Sequence, residues 1–556
     1  MNLTVHIVKK DFRRLLVPLA LWALLLVAQI FLGIRMLRGD GDNLEWFGRM
    51  SLYGYLFFAL DLVVSYVLVA MLIHEDPLTG SQEFWLTRPI SGGRLLAAKS
   101  LGAVLMFGVL PVAIWLPWWL ACGYGWHDVA AAVFETLILK FGVVLPALLL
   151  AVLTEHFSRY LTWTLAAIML LFLLDAFVNM ALSIHPPSWQ GLANTRVCLT
   201  LLVTAMGVAA VVCHQFLTRH TVRSFVLSGV GFVLVALSIV LWPWDLSQVR
   251  SEPAAPPSAI GDQISISVDQ IKITQPEAGI PGAGVTFEMT ARGVPDGLGL
   301  VGYWSGSIFR SRHIWRWPDG YTLDLSQYVG FASFEDWMDG AVRRLLGVPG
   351  LKPDSRRNEL IIANQQKMHE GRRLATGLNL PIQAAARMVK EPPAYTGQFN
   401  LLLIRPEVEY ELPLGPSDRQ RHGTTSLRIA WTGVREDGRM FVNLVESKPD
   451  PRTDSVSYDP SASRPYPDWK EDVLINRARN EAMLIPGWGS NQATRIGTVE
   501  IRWNTLAFPA PLEQRDGQWV PEPATWFDGA TFVRTGFVEE TRFSREVKME
   551  RFEATP

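Results

Sequence analysis

Seven long apolar stretches in the first 250 residues constrain this fold more than any other feature of the sequence. A helix that crosses a bilayer needs about 20 mostly apolar residues, and each stretch approaches or exceeds that length. So many stretches in so short a segment are not typical of buried helices in a soluble protein. We therefore expect an α-helical polytopic membrane domain of about seven spans over 15–246. The predicted spans are 15–37, 51–73, 101–121, 129–153, 161–184, 197–217 and 224–244.

The distribution of charge divides the chain into two parts. It has 51 Lys and Arg and 52 Asp and Glu, but only 29 of these 103 residues fall within 1–250. The remaining 74 lie in 251–556, close to the roughly one quarter of charged residues found in soluble domains. This composition excludes a purely soluble protein and a disordered chain. The net charge of −1 gives no indication of a nucleic-acid partner.

The positions of Lys and Arg predict a cytoplasmic N-terminus, because basic residues are retained on that side of the membrane. With this orientation, inner segments hold ten of them and outer segments four. An odd number of spans then places the C-terminal half outside the cytoplasm, on a multi-pass protein of the plasma (inner) membrane. The span 129–153 is open to a second interpretation, since Glu135 and Lys140 also suit a re-entrant or tilted segment. An aromatic belt at the outer ends is predicted at Trp46, Trp118, Trp119, Trp126, Trp189, Trp242 and Trp244.

Residues 1–14 have the pattern of a short amphipathic helix. Apolar residues, among them Ile7 and Val8, fall near one face, and basic residues occupy much of the remainder. Such a helix lies in the membrane interface and is attracted by anionic lipid. The alternative is a basic flank that only sets the topology. The basic residues are Lys9, Lys10, Arg13 and Arg14.

The cytoplasmic loop 74–96, between the second and third predicted spans, has the most informative pattern. Gly80 interrupts the chain after an acidic pair, and a short amphipathic helix then ends before Pro89, since the residue before a proline is biased out of the helical region. A short helix with an apolar tip and flanking charges suits docking into a groove of a partner protein. The alternative is a charged loop lying on lipid headgroups. The loop residues concerned are Glu75, Asp76, Gly80, Glu83, Phe84, Trp85, Leu86, Arg88 and Pro89.

This loop resembles that of the ABC-2 type permeases, the membrane subunits of many bacterial ABC exporters. The family pattern has an acidic residue, Gly, Glu, Leu, Thr or Ser, Pro and Ser, and ends in Leu-Leu-x-x-Lys. It is matched here by Glu75 or Asp76, Gly80, Glu83, Leu86, Thr87, Pro89, Ile90, Ser91, Leu95 and Lys99. The resemblance covers residues 1–250. Two departures are the seventh predicted span, where the family core has six, and the large C-terminal domain.

The resemblance implies that the loop is a coupling helix seated in a separate ATP-binding subunit, and that residues 1–14 form an elbow helix. It also implies a homodimer or heterodimer of permease chains. The phosphate-binding pattern Gly-x-x-x-x-Gly-Lys-(Ser/Thr) does not occur in the sequence. We therefore expect ATP and magnesium on the partner, no cofactor on this chain, and an exporter subunit that is not itself an enzyme. The alternative is a membrane-anchored sensor or scaffold with an extracytoplasmic binding domain and no transport activity.

Polar residues within the predicted spans are candidates for a transport path. Such residues usually face the interior of a helix bundle or an aqueous passage. Asp175 and Asn179 are four positions apart, so they share one helix face. Mutual pairing for assembly is the alternative to a path. The candidate residues are Asp61, Glu135, Lys140, Asp175 and Asn179.

A Pro-rich linker at 247–262 leads into a β-rich domain over 263–556. Short alternating apolar runs separated by Gly and Pro turns predict a β-sandwich-like, α+β fold, and Glu436-Asp-Gly-Arg439 has the pattern of a hairpin turn. Helices are predicted at 334–346, 356–390 and 469–484. The arrangement is either two β lobes, at 263–333 and 398–556, with a helical insertion at 334–397, or one sandwich with such an insertion.

The sequence of this domain gives no indication of catalytic or metal-binding chemistry. It has no cysteine, its three histidines are scattered (His313, His369 and His422), and it lacks the zinc-protease and Gly-x-Ser-x-Gly patterns. Its aromatic residues are more informative. One cluster predicts either a stacking surface for glycan or lipid or an ordinary sandwich core, and consists of Trp304, Phe309, Trp315, Trp317 and Tyr321.

Overall fold

The structure, a computed structural model, has a helical N-terminal region and a β-rich C-terminal region, as the sequence predicts. It describes residues 3–39, 44–75, 91–182, 189–241, 259–274, 283–295, 297–302, 311–327, 345–347, 350–351, 372–380, 382–436, 438–450, 470–484, 490–510, 512–515, 518–521 and 524–552. The helices are α1 (Leu3–Arg14), α2 (Leu16–Arg38), α3 (Leu44–His74), α4 (Gly92–Ala103), α5 (Leu110–Cys122), α6 (Trp126–Leu153), α7 (Phe157–Leu182), α8 (Trp189–Thr218), α9 (Thr221–Leu241) and α10 (Ile382–Lys390).

Four helices are long and apolar enough to cross a membrane among the described residues. They are α2, α3, the continuous segment Gly92–Cys122, in which a π-helical turn at Val104–Val109 joins α4 to α5, and α6. Helices α7 to α9 occupy the other three predicted spans. Four of the seven predicted spans thus coincide with helices long and apolar enough to cross a membrane, and the crossing itself stays a prediction for all seven. Helix α6 runs without a break over 28 residues, which is not the interrupted geometry of a re-entrant segment.

The strands of the C-terminal region form one large sheet and three smaller ones. The large sheet has eight strands in the order β5-β4-β8-β18-β12-β13-β6, with β3 also paired to β8; the others are β1-β2-β7, β14-β15-β11-β10-β9 and β16-β17. The strands are β1 (Ser265–Thr274), β2 (Ala283–Arg292), β3 (Gly299–Gly302), β4 (Ser311–Arg316), β5 (Thr322–Gln327), β6 (Gly350–Leu351), β7 (Arg372–Leu380), β8 (Ala394–Pro413), β9 (Gln420–His422), β10 (Thr425–Val434), β11 (Met440–Pro449), β12 (Glu471–Asn476), β13 (Glu481–Leu484), β14 (Ser490–Ile496), β15 (Val499–Phe508), β16 (Leu512–Arg515), β17 (Gln518–Pro521) and β18 (Thr531–Met549).

Two long antiparallel strands, β8 and β18, hold this region together, because each contributes to two hydrophobic cores. The first half of β8 and the last half of β18 pack with β1, β2, β4 and α10 around Phe287, Trp315 and Phe399. The other halves pack with β10, β11 and β15 around Leu412 and Phe532. Alternate residues of β2 are buried, as expected for a strand with one face on a core. The predicted β-sandwich packing thus occurs twice, with the eight-stranded sheet shared.

The predicted division into two lobes is wrong. Strands β3 and β4, from the predicted lobe 263–333, pair with β8, which begins at Ala394 and continues into the other lobe. The predicted helical insertion 334–397 is also wrong in part, because 372–380 is strand β7, which pairs with β2. Residues 382–390 are helical, as predicted, and 352–371 lie outside the described residues. The predicted helix 334–346 falls almost wholly outside the described residues.

The predicted helix 469–484 is a β-hairpin. Strands β12 and β13 pair antiparallel across a turn in which Asn480 has a left-handed backbone, with φ of 55°. Asn is one of the few residues that adopt this conformation at low cost. The residues around the turn favour a helix, and for this reason the sequence alone did not predict the hairpin. The turn predicted at 436–439 is confirmed, since β10 and β11 pair across it from Val434 and Met440.

The aromatic cluster was predicted to form either a stacking surface or part of the core. Two of its described members belong to the core. Trp315 and Trp317 are buried, and Tyr321 is exposed beside Arg387; Trp304 and Phe309 lie outside the described residues. His313 is completely buried in the same core, with Nδ1 2.8 Å from the Tyr395 hydroxyl oxygen. Burial lowers the pKa of His313 from 6.5 to about 4.

Acidification is therefore expected to destabilise the β-rich region through His313. The folded state keeps the imidazole neutral, so this contribution is fully present above pH 6.5 and is lost as pH falls towards 4, a total of about 3 kcal/mol. The melting temperature of the purified chain should fall less on acidification in His313→Phe than in the wild type. The control is His422→Phe at an exposed histidine, which should follow the wild type; equal acid sensitivity in all three would contradict the assignment.

Candidate functional site

The two regions of the chain meet at one end of the helix bundle, and helix α1 lies at the other. At the first end, α2 and α5 finish and α3 and α6 begin, and their residues share a hydrophobic core with β11, β14 and β15. At the opposite end, Ile7 and Val8 of α1 pack against Ile73 of α3, Leu95 of α4 and residues of α6 and α8. Helix α3 ends and α4 begins at this second end.

Most residues of the predicted coupling loop lie outside the described residues. These are Asp76, Gly80, Glu83, Phe84, Trp85, Leu86, Arg88 and Pro89; Glu75 is described, as the first residue after α3. The structure describes both flanks of the loop, α3 up to Glu75 and α4 from Gly92. The candidate site is therefore built from the contacts of these flanks.

Both flanks are attached to α1 by ion pairs. The Lys99 ammonium of α4 lies 2.9 Å from Oδ2 of Asp11 and also donates to the backbone carbonyl oxygen of Leu72 in α3, at 2.8 Å. Arg14, at the end of α1, pairs with Glu75. The Lys99 and Asp11 side chains are only 2% and 1% exposed. We call Asp11, Arg14, Leu72, Glu75 and Lys99 the loop clamp.

The buried pair of the loop clamp was only partly visible in the sequence. Lys99 belongs to the family-like pattern, but its acidic partner is Asp11, a single acidic residue among the basic residues of α1. Of those basic residues, Arg14 joins the clamp, and Lys9 and Arg13 are exposed. The apolar residues Ile7 and Val8 face the bundle, although the amphipathic pattern predicts an apolar face towards lipid.

The three candidate transport-path residues whose side chains the structure describes, Asp61, Glu135 and Lys140, take part in two separate contacts. In the middle of the bundle, the Lys140 ammonium lies 2.5 and 2.6 Å from the two carboxylate oxygens of Asp61. Trp22 Nε1 donates to Asp61 at 2.7 Å, and its ring lies 5.1 Å from the ammonium. Both charged side chains are 6% exposed. The side chains of Asp175 and Asn179 lie outside the described part of the chain.

Glu135 takes part in a different contact, between the bundle and the β-rich region. Its carboxylate accepts a hydrogen bond from Arg495 Nη2 at 2.5 Å, and the same nitrogen donates to the carbonyl oxygen of Asp450 at 2.6 Å. Arg495 belongs to β14. Glu135, one of the two charged residues that make 129–153 unusual as a span, is thus neutralised by Arg495 of the β-rich region, near the start of α6.

The tip of the β14–β15 hairpin is inserted among the helices. Ile496 fits where Gly54 of α3 has no side chain, since a Cβ there would lie 3.0 Å from its Cδ1. Gly497 forms the turn with φ of 62°, and the Tyr124 hydroxyl donates to the Thr498 carbonyl oxygen at 2.5 Å. We call residues 495–498 the hairpin tip. It packs against α2, α3 and α5 at the end of the bundle that faces the β-rich region.

The hairpin tip changes the interpretation of the predicted aromatic belt. Trp118 and Trp119 are buried, 3% and 0% exposed, in the core shared with the β-rich region, so they contact protein where lipid was expected. Trp126 is 81% exposed.

Among the described residues, no group of three or more His, Cys, Asp or Glu lies close enough to hold a metal ion.

Comparisons of the chain with protein-family models, with curated proteins and with solved structures found no match.

Proposed function

We propose that the chain is the permease subunit of an ATP-binding-cassette transporter, an exporter driven by a separate ATPase that docks on the loop 74–96. The observation that supports this most is the loop clamp. A loop that receives motion from a partner must be fixed firmly to the helices that carry the motion onward. Here the flank on α3 is attached to α1 through Glu75 and to α4 through the Leu72 carbonyl oxygen. The flank on α4 is attached to α1 through Lys99.

The energetics of the loop clamp suit this role. A buried ion pair is costly to break by removing one partner, about 3–5 kcal/mol, because the other charge remains buried. The Asp11–Lys99 pair is almost completely buried, so α1 and α4 are expected to move together when the loop is displaced. A surface loop that only rests on lipid headgroups has no need of such a pair.

The same helices connect the loop clamp to the β-rich region. Helix α3 contacts the hairpin tip at Gly54 and reaches the clamp at Leu72. The segment Gly92–Cys122 runs from the clamp to Trp115 and Trp118, beside the tip. If these helices span the membrane, the clamp and the β-rich region lie on opposite sides of it. Together with the basic residues that predict a cytoplasmic N-terminus, this supports an extracytoplasmic C-terminal domain. Two such chains, identical or different, would form the complete permease.

A membrane-anchored sensor or scaffold without transport activity is the second candidate. The observation that favours it is the hairpin tip, which packs tightly among the ends of α2, α3 and α5, as expected where the helices serve to hold the β-rich region. The two candidates differ in their partner, because only the first requires an ATP-binding subunit on the loop.

The test is affinity purification of the full chain from native membranes, with mass spectrometry of the bound proteins. We expect an ATP-binding subunit to be recovered with the wild type and to be lost with Glu83→Lys/Trp85→Ala, because these changes reverse the charge and remove the apolar tip of the predicted docking helix. The ATPase activity of the purified complex should fall in parallel.

A matched control is Glu45→Lys/Trp46→Ala, which changes the same residue types at the other end of α3. The Glu45 side chain is 71% exposed and Trp46 lies near Trp503 of the β-rich region, so this variant should retain the ATPase. Recovery of no ATP-binding subunit with the wild type, or equal recovery with both variants, would overturn the proposal.

A further inference from the structure

A cavity of about 350 Å³ lies where the β-rich region meets the C-terminal ends of α2 and α5. One wall is apolar and formed by the helices, with Ile34 and Trp118 among its residues. The opposite wall is polar and contains Arg419 and Arg428 of the β-rich region. None of the sequence patterns predicts this cavity, because its two walls are about 300 residues apart in the chain.

The charge of the lining is positive. Three arginines line the cavity, Arg38, Arg419 and Arg428, against one acidic residue, Asp418. The Arg419 guanidinium donates to the hydroxyl oxygens of Ser426 and Ser447, the latter at 2.6 Å, and these acceptors are neutral. Burial lowers the pKa of Arg419, which shows that part of its charge is withdrawn from water. The site is therefore electrostatically suited to an anion.

The position of the cavity indicates which anion. Arg38 is the last residue of α2, a helix of membrane-spanning length, and Gly39 ends that helix in a left-handed conformation. The cavity thus lies at the level where a span leaves the hydrocarbon and meets the headgroups. Phe31, which is 61% exposed, shares a face of α2 with Ile34 and Arg38 at helical spacing, so an apolar surface leads along the helix to the basic wall.

We propose that this cavity binds the phosphate headgroup of an anionic lipid, with an acyl chain lying along the Phe31 and Ile34 face of α2. Guanidinium groups form paired, charge-assisted hydrogen bonds with phosphate oxygens. A volume of about 350 Å³ admits a headgroup and leaves the chains outside. A lipid held there contacts both walls, and it therefore strengthens the attachment of the β-rich region to the bundle.

The test uses the full chain, purified and delipidated in a non-ionic detergent, and measures the binding of dioctanoyl phosphatidylglycerol by thermophoresis. We expect saturable binding that weakens about tenfold or more in Arg38→Gln/Arg419→Gln, since two charge-assisted contacts are removed. Dioctanoyl phosphatidylcholine, with the same chains and no net charge, should bind more weakly to the wild type. Glycerol 3-phosphate, which carries the phosphate without the chains, should also bind more weakly.

The control is Arg405→Gln/Arg477→Gln, which removes two exposed arginines of the β-rich region outside the cavity. It changes the net charge equally and should bind phosphatidylglycerol like the wild type. Equal binding by both double variants, or no preference between the two lipids, would overturn the proposal. Glycerol 3-phosphate binding as tightly as the lipid would instead identify a soluble phosphate ligand. The binding measurement does not involve an ATPase, so its failure is separate from that of the proposed function.

Discussion

Arg534→Met is expected to lower the free energy of unfolding of the β-rich region by about 3–5 kcal/mol, the usual cost of removing one partner from a buried ionic network. Arg534 on β18 is 3% exposed and makes two hydrogen bonds to the Asp472 carboxylate, at 2.6 and 2.8 Å. Its Nη1 donates to Glu446 on β11 at 3.0 Å. The arginine therefore joins the eight-stranded sheet to the sheet packed against it.

The expected loss of unfolding free energy is large because the Glu446 carboxylate is both charged and buried. Burial by itself would raise the pKa of this carboxyl, but the Lys470 ammonium and the Arg534 guanidinium together lower it to about 2. The carboxylate therefore stays ionised at neutral pH. Without Arg534 it loses the hydrogen bond from Nη1 and keeps the one from Lys470, at 2.7 Å. Asp472 loses both of its hydrogen bonds from the guanidinium.

Urea unfolding of the purified chain, followed by the circular dichroism of the β-rich region, measures this effect. The matched control is Arg405→Met on the neighbouring strand β8, whose ion pair with Glu540 is 50% and 34% exposed. Exposed pairs contribute about 0–1 kcal/mol, so the control should unfold close to the wild type. A loss below about 1 kcal/mol in Arg534→Met would show that the network does not contribute in this way.

The fold class followed from the sequence because apolar length and strand alternation are local properties. The span 15–37 appears as α2, and the alternation at 264–274 as β1. Local patterns gave wrong predictions where contacts with distant segments of the chain determine the structure. Strand β7 exists because β2 offers it a pairing edge, and the hairpin at 469–484 depends on one residue, Asn480, that tolerates a left-handed backbone.

The candidate sites were predictable to different degrees. The family-like sequence pattern includes Lys99, but nothing local identifies Asp11 as its partner 88 positions away. Asp61 and Lys140 were recognised as unusual because charge is costly inside a span, although the pairing of the two is a tertiary property. The hairpin tip was not predicted, since nothing local in 495–498 indicates that its partners are Gly54 and Tyr124 of the helical region.

Lys140→Met is expected to destabilise the helix bundle by about 3–5 kcal/mol, because the Asp61 carboxylate would remain buried without its counter-ion. Asp61→Asn should cost a similar amount, since it leaves the ammonium alone. The double variant Asp61→Asn/Lys140→Met removes both charges and keeps an acceptor for Trp22 Nε1, now 2.7 Å from the Asp61 carboxylate. It should therefore recover most of the lost stability, as measured by detergent-induced unfolding of the purified chain.

Arg49→Met provides the control, because its pair with Glu45 on α3 is 68% and 71% exposed and should contribute less than about 1 kcal/mol. Additive losses in the double variant would contradict a direct pairing of Asp61 with Lys140. The double variant also separates the two interpretations of these residues. If the pair serves assembly alone, the double variant should be stable and retain coupled ATPase activity; if it belongs to the transport path, the variant should be stable and inactive. Stability and activity must therefore be measured on the same preparation.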